Sequence, residues 1–162
     1  MASSKRQAAL EPDSGSGCHC TVLRKASRRI SQLYDAALAS GELKTTQRAI
    51  LAEIGRSEPL TVGTLAAALV MDSGALAHTL KPLEREGWVA TSVDETDRRN
   101  RLIILTRSGR AKLADTEQRW ERAQQAFEAV MGRAEVEALR IVLGVLASDD
   151  FAAAFKAAGG PW

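Results

Sequence analysis

Two short β-prone runs, Val89–Val93 and Leu102–Leu105, flank the polar stretch Asp94-Glu95-Thr96-Asp97-Arg98-Arg99-Asn100-Arg101, and this pairing constrains the fold most. β-Branched and apolar residues on both sides of an Asp/Glu/Asn-rich segment predict a β-hairpin with a long loop. Its tip carries Arg98, Arg99 and Arg101 on a narrow ribbon. Guanidinium groups presented this way suit a DNA groove, above all a narrow, electronegative minor groove. A solvated basic turn is the alternative for an isolated hairpin.

The segments before the hairpin favour the groove reading. Apolar residues at Leu23, Ile30, Tyr34 and Leu38 recur at helical steps between Cys18 and about Ala39, and Ser40-Gly41 ends that helix. Thr45 is expected to cap a second helix, with Ile50, Leu51 and Ile54 on its apolar side and Gly55 closing it. After the extended link Pro59-Leu60, Thr61 caps a third helix through Leu69. Asp72 caps a fourth, buried through Leu76, Leu80 and Leu83 and ended by Gly87 in a left-handed cap. Pro82 lies inside it and deprives the His78 carbonyl of its donor, which predicts a local kink. Helix, helix, short strand, helix, helix, strand, basic tip, strand is the order of a helix-turn-helix followed by a wing.

The last third reads differently. Thr106 is expected to cap a long helix in which Leu113, Trp120 and Phe127 repeat every seven residues, with Ala123 and Val130 on a second seam. Gly132 interrupts, and a further helix carries Val136, Leu139, Leu143 and Leu146. These seams either pack on each other or form a helical dimer interface; the dimer is the expectation, because the winged segment has a core of its own. Phe151-Ala152-Ala153-Ala154-Phe155 adds a short apolar turn at the end. The division expected is a flexible arm over 1–17, a winged helix-turn-helix over 43–106, and a helical dimerisation region from 18–42 and 107–162. The fold class is mostly α with a small β-wing.

At 162 residues and 45% hydrophobic content the chain can bury a core, and with only 4% aromatics that core must rest on aliphatic side chains. A net charge of +2 permits nucleic-acid binding without demanding it. From Arg98 to Lys112 six cationic side chains occur with no acidic one, which concentrates the positive charge around the wing. No run is long and apolar enough to span a membrane, and the first residues lack the apolar core of a secretory signal. Two cysteines one residue apart provide no disulfide framework, so a cytoplasmic location is expected.

Several segments together resemble the MarR group of bacterial transcription regulators over roughly 18–147. They are Leu43-Lys44-Thr45-Thr46-Gln47, Leu60-Thr61-Val62-Gly63-Thr64-Leu65-Ala66, Leu83-Glu84-Arg85-Glu86-Gly87-Trp88-Val89, Asp97-Arg98-Arg99-Asn100-Arg101 and Leu105-Thr106-Arg107-Ser108-Gly109. Each is weak alone; their order and spacing are specific. The resemblance implies a homodimer with interlocked terminal helices and two winged lobes that read a palindromic operator in double-stranded DNA. The start of the fourth helix, Asp72-Ser73-Gly74-Ala75, is less polar than in many relatives. Gly74 costs helix stability, or it permits close approach to the DNA backbone.

Within that frame Ser73, Gly74, His78 and Lys81 form the expected major-groove set, since such helices present their N-terminal part to base edges. Thr61 and Thr64 are candidates for phosphate, Arg98 and Arg99 for the groove, and Asp97 for fixing an arginine by a carboxylate–guanidinium pair. Cys18-His19-Cys20 is too short for structural zinc, so no metal and no cofactor is expected. In the organic-hydroperoxide branch of the family a reactive cysteine stands near the start of the first helix and is held by tyrosines. Cys20 matches that position and Tyr34 matches one tyrosine, whereas Arg24 replaces the other. Cys18 would be the neighbouring decoy or mixed-disulfide partner; the alternative is an unreactive thiol. Arg24 and Arg28 are either a solvated face or the lining of an effector pocket for an organic anion.

No phosphate loop and no nucleophile–base pair is recognisable, which argues against an enzyme. The expected function is a dimeric DNA-binding regulator, a repressor released by a small-molecule effector. A thiol-based peroxide sensor using Cys20 is the alternative, and a winged-helix interaction module without DNA binding is the reading from another class.

Overall fold

A computed structural model describes residues 17–93 and 101–159. The arm expected over 1–17 therefore lies almost wholly outside the described residues. Eleven segments follow in order: α1 (His19–Leu38), a 3₁₀ turn (Ala39–Gly41), α2 (Thr45–Ser57), β1 (Leu60–Thr61), α3 (Val62–Ala68), α4 (Ser73–Arg85), β2 (Val89–Val93), β3 (Arg101–Leu105), α5 (Arg107–Met131), α6 (Arg133–Leu146) and α7 (Asp149–Ala157). The result is a mostly helical chain with one small sheet. In it β3 lies between β1 and β2 and runs antiparallel to both. Leu60 faces Ile103, Val89 faces Leu105, and the hairpin pairing runs out to Val93 opposite Arg101.

One aliphatic cluster holds the winged unit. Ile50, Leu51 and Ile54 of α2, Leu65 of α3, Leu76 and Leu83 of α4, and Ile103 of β3 are fully buried. Burial of each such side chain is worth about 1.5–3 kcal/mol. The period-2 pattern of β3 sends Ile103 and Leu105 into this core, and the stripe Leu76, Leu80, Leu83 places α4 against it. Pro82 does not end α4, which runs through it to Arg85. Gly87, at φ +71°, closes α4, and the Trp88 amide donates to the Leu83 carbonyl.

Three expectations about boundaries and faces are corrected. Thr45 is the first residue of α2 and Lys44 is its cap. The Asp35 carboxylate, arriving from α1, accepts from the Thr45 amide at 2.7 Å, and the Gln47 side chain accepts from the Lys44 amide. Gly55 does not close α2 but sits inside it, where a Cβ would come within 3.0 Å of the Leu105 side chain. The seam Leu113, Trp120 and Phe127 has neighbours within the same chain. Leu113 packs on the winged core, Trp120 lies under the Arg48 guanidinium, and Phe127 lines a cavity against α1. Exposed apolar residues lie on α1 (Val22, Leu23 and Leu33), on the winged unit (Val70, Val93 and Ile104) and, most densely, further on at Val130, Ile141, Val142, Leu143, Val145, Phe151 and Phe155.

The winged unit is fastened to α5 by backbone and hydroxyl contacts at one place. Thr106 caps α5 by accepting from the Gly109 amide, while its own hydroxyl donates to the Gly87 carbonyl at 2.6 Å. Ser108 donates to the same carbonyl, and the Thr106 amide donates to the Trp88 carbonyl. Gly109 is buried there, with no room for a Cβ beside the Trp88 carbonyl oxygen. Replacing Gly109 with Ala is therefore expected to destabilise the fold by about 1–3 kcal/mol through overpacking. Thr106→Ala is expected to cost about 1 kcal/mol through loss of the cap. Urea unfolding followed by far-UV circular dichroism measures both.

Candidate nucleic-acid interface

The surface of α4 is set by its buried side. With Leu76, Leu80 and Leu83 fully turned inward, Ser73, Gly74, Ala77, His78 and Lys81 are all exposed on the outer face. Asp72 fixes the start of that face by accepting from the Gly74 and Ala75 amides at 2.9 and 3.0 Å. A Cβ at Gly74 would stand 3.0 Å from the same Asp72 oxygen, so the missing side chain also serves the cap. Thr79 donates back to the Ala75 carbonyl.

Ahead of α4, Thr61 caps α3 by accepting from the Thr64 amide, and the two hydroxyls lie 2.9 Å apart. The N-terminus of α3 thus presents two hydroxyls together at the positive end of a helix dipole. Between α3 and α4 the chain turns at Val70, whose φ of 50° lies in the left-handed region. Behind α4 the hairpin projects to Val93 and Arg101, and Arg101 is exposed. Asp97, Arg98 and Arg99, the expected groove contacts and their orienting carboxylate, lie outside the described residues.

The positive charge downstream of the tip is arranged differently from what its run in sequence suggested. Arg110 pairs with Glu58, and Lys112 reaches Glu42 at 3.2 Å and lies 5.0 Å from the centre of the Trp88 ring. These two cations are structural; both sit on α5 and turn to carboxylates from elements far away in sequence.

Tyr34, Arg24, Arg28 and the cysteines do not form one site. α1 places Cys20 and Tyr34 fourteen residues apart, which is about 20 Å along one helix. Tyr34 donates to the Gln124 side chain at 2.8 Å beside an apolar cavity of about 380 Å³ lined by Ile30, Leu33, Phe127 and Val130, among others. Burial pushes the Tyr34 phenol up, which keeps it a donor. Arg24 and Arg28, with Leu23 and Ser27, line a separate depression of about 340 Å³. Cys18 and Cys20 are both exposed. Cys18 is the N-cap of α1, and the Thr21 hydroxyl and amide next to its sulfur hold its thiol below the ordinary value. Among the described residues no three His, Cys, Asp or Glu side chains gather where a metal ion could sit, and no helix is long and apolar enough to cross a membrane.

Sequence reasoning missed the contacts between α2 and α5. Arg48 is 7% exposed, and its Nη2 lies 2.5 Å from Glu117 Oε2. Its guanidinium stands 4.3 Å above the Trp120 ring, and Glu58 accepts from the Leu105 amide at 2.6 Å. A lone Arg on the polar side of a predicted helix carries no signal of a partner 69 residues away.

This arrangement is shared with known regulators. The sequence model of the MarR family matches residues 43–100, a stretch that takes in α2, β1, α3, α4 and β2. The HTH-type transcriptional regulator SarZ of Staphylococcus saprophyticus is 35% identical over 91 residues, covering 56% of this chain; the match spans 62% of that relative's length. A DNA complex of the transcriptional regulator MosR of M. tuberculosis superposes with a TM-score of 0.75 at 30% identity, over 88% of this chain and 99% of that one. A second structure of MosR is 32% identical over 82% of this chain and 96% of that one, with a TM-score of 0.69. The transcriptional repressor CouR, bound to a 23-mer DNA duplex, shares the fold at a TM-score of 0.76 and 23% identity. These relatives are transcription regulators, not enzymes. The family match lies on the winged unit, and the likeness to MosR continues through the helices on either side of it: the chain belongs to the MarR family.

Proposed function

We propose that this chain is a homodimeric regulator that binds double-stranded DNA, a repressor whose two winged units read a palindromic operator. The observation that carries this is the outer face of α4, where Ser73, Gly74, His78 and Lys81 stand exposed on a capped helix held by three buried leucines. The DNA-bound relatives support the same use of the fold. Thr61 and Thr64 take phosphate, and Arg98 and Arg99 enter the groove beside the site of α4, with Asp97 orienting them. Thr61 and Thr64 already bond to each other, so a phosphate joins them as an acceptor from Thr64 and its neighbouring amides.

His78→Ala and Ser73→Ala are expected to change preference among operator variants, each lost base contact costing about 1–3 kcal/mol. Arg98→Ala and Arg99→Ala are expected to weaken binding to all sequences and to lower the salt slope by about 1 each. Gel shifts on a duplex recovered from a randomised pool, repeated across a salt series, separate the two patterns. Wing variants that bind like the parent protein at every salt concentration remove the wing from the reading. A chain that recovers no duplex at all leaves the interaction module as its function.

The dimer rests on α6 and α7. Ile141, Val142 and Val145 of α6 are 63%, 54% and 55% exposed, and Phe151 and Phe155 of α7 stack on each other at the surface with centroids 6.0 Å apart. So large an apolar face is characteristic of an interface. Multi-angle light scattering is expected to give twice the chain mass at micromolar concentration, and Ile141→Asp with Phe155→Asp to give monomer. A parent protein that is monomeric refutes the dimer.

Release is assigned to a small organic anion held at Arg24 and Arg28. A second reading, the thiol switch, is favoured by one observation: the lowered Cys18 thiol at the start of α1. It moves the reactive position from Cys20 to Cys18. The Cys18 thiolate is populated at lower pH than an ordinary thiol, so its alkylation by iodoacetamide in a Cys20→Ser background is expected to reach half-maximal rate at lower pH than that of a free cysteine-containing peptide. Operator binding is then titrated with benzoate and with cumene hydroperoxide. Loss of binding with hydroperoxide in the parent protein but not in Cys18→Ser identifies the switch. Loss with benzoate that Arg24→Ala removes identifies the anion site.

A further inference from the structure

We infer that Arg48 is a specificity-determining residue that touches no DNA: by clamping α2 to α5 it sets the half-site spacing the dimer accepts. The inference rests on the two-headed DNA-binding reading above. Between the winged unit and α5, away from the Thr106 junction, lies an open groove of about 620 Å³. Leu113 packs on the winged core beside it and Lys112 lies against the Trp88 ring, and two ion pairs span the opening itself. Arg110 pairs with Glu58, which also accepts from the Leu105 amide, but Arg110 is more than half exposed and water competes for it. Arg48 is the link whose cation is buried, held on one side by the half-exposed Glu117 carboxylate and on its face by Trp120.

The chemistry of this link is wrong for mere adhesion. A buried ion pair contributes little stability compared with apolar side chains of the same size. Arg48 also keeps its Nε buried with no hydrogen-bond partner among the described residues. A methionine would fill the space without that cost. What a guanidinium adds is direction: placed 4.3 Å over one ring and bonded through Nη2 to one carboxylate, it favours one orientation of α2 against α5. Through α2 and the common leucine core that orientation passes to α4. In a dimer the two α4 helices must reach major grooves about one helical turn apart, so fixing each winged unit on its own α5 fixes the spacing.

The test uses the full chain as Arg48→Met and Glu117→Gln, with Arg48→Lys as the conservative control. The probe is the duplex recovered with the parent protein from a randomised pool, remade with one or two base pairs inserted or deleted between its half-sites. Each step misphases the half-sites by about a tenth of a turn. The parent protein is expected to lose roughly thirtyfold in affinity on a two-base-pair change, the scale of a lost base contact. Arg48→Met and Glu117→Gln are expected to bind the best duplex less tightly while the penalty for changed spacing falls to about threefold. Uniform weakening at every spacing, or an unchanged spacing preference, overturns the inference.

A second measurement does not depend on DNA. Spin labels on Ala77→Cys in α4 and Gln125→Cys in α5, in a background with Cys18 and Cys20 changed to Ser, report the angle directly when one labelled chain is diluted in unlabelled protein. One narrow distance distribution that broadens in Arg48→Met supports the clamp; equal widths overturn it. If no duplex is recovered, the DNA-binding reading fails, and equal or different widths still decide whether Arg48 orients the winged unit.

Discussion

The fold depends on a place where backbone and hydroxyl groups pin two helix ends together. At Gly87–Trp88 the end of α4 meets the start of α5, and Thr106, Ser108 and Gly109 close on the two carbonyls there. Gly87 must take a left-handed conformation to stop α4, and Gly109 must lack a side chain to let α5 approach. The same threonine caps α5 and ties it to the carbonyl that ends α4. The hairpin is enclosed between these two helix ends, so its direction of projection follows from the junction.

Around that point the two halves of the chain solve different problems. The winged unit buries enough aliphatic surface to be internally complete, which frees the outer face of α4 for small and polar side chains. The helices beyond it do not complete themselves: α5 is spent on the winged core and on α1, and α6 and α7 leave valines, isoleucine and phenylalanines at the surface. The likeness to the MosR chain, over 88% of this one, takes in both parts. Charge follows the division too, since Arg48, Arg110 and Lys112 serve to join elements.

Much of this was legible from local pattern. The leucine stripe of α4, the caps at Thr61, Asp72 and Thr106, the left-handed Gly87 and the two hairpin runs each depend on residues within a turn or two of one another, where helical and strand periodicity act directly. The candidate face on α4 follows from the same stripe, because a helix with one side buried has its other side determined.

What tertiary structure alone decided were the interactions that join distant segments. Thr45 looked like a cap until Asp35, ten residues earlier, supplied the acceptor. Gly55 looked like a helix end because glycine usually marks one, yet it is needed where Leu105 crosses α2. The heptad of Leu113, Trp120 and Phe127 has the spacing of a dimer seam, and periodicity cannot say whether the surface that covers it belongs to the same chain. Arg48 carries no local sign of a partner, and Arg110 counted toward the charge around the wing, until the fold brought Glu117 and Glu58 to them. The sequence by itself determined the elements, their order and the face that α4 leaves outward, since those follow from short-range sterics and hydrophobic period. The angle of the winged unit on α5 was decided only by the assembled fold, because it depends on which charges and which close approaches meet across dozens of residues.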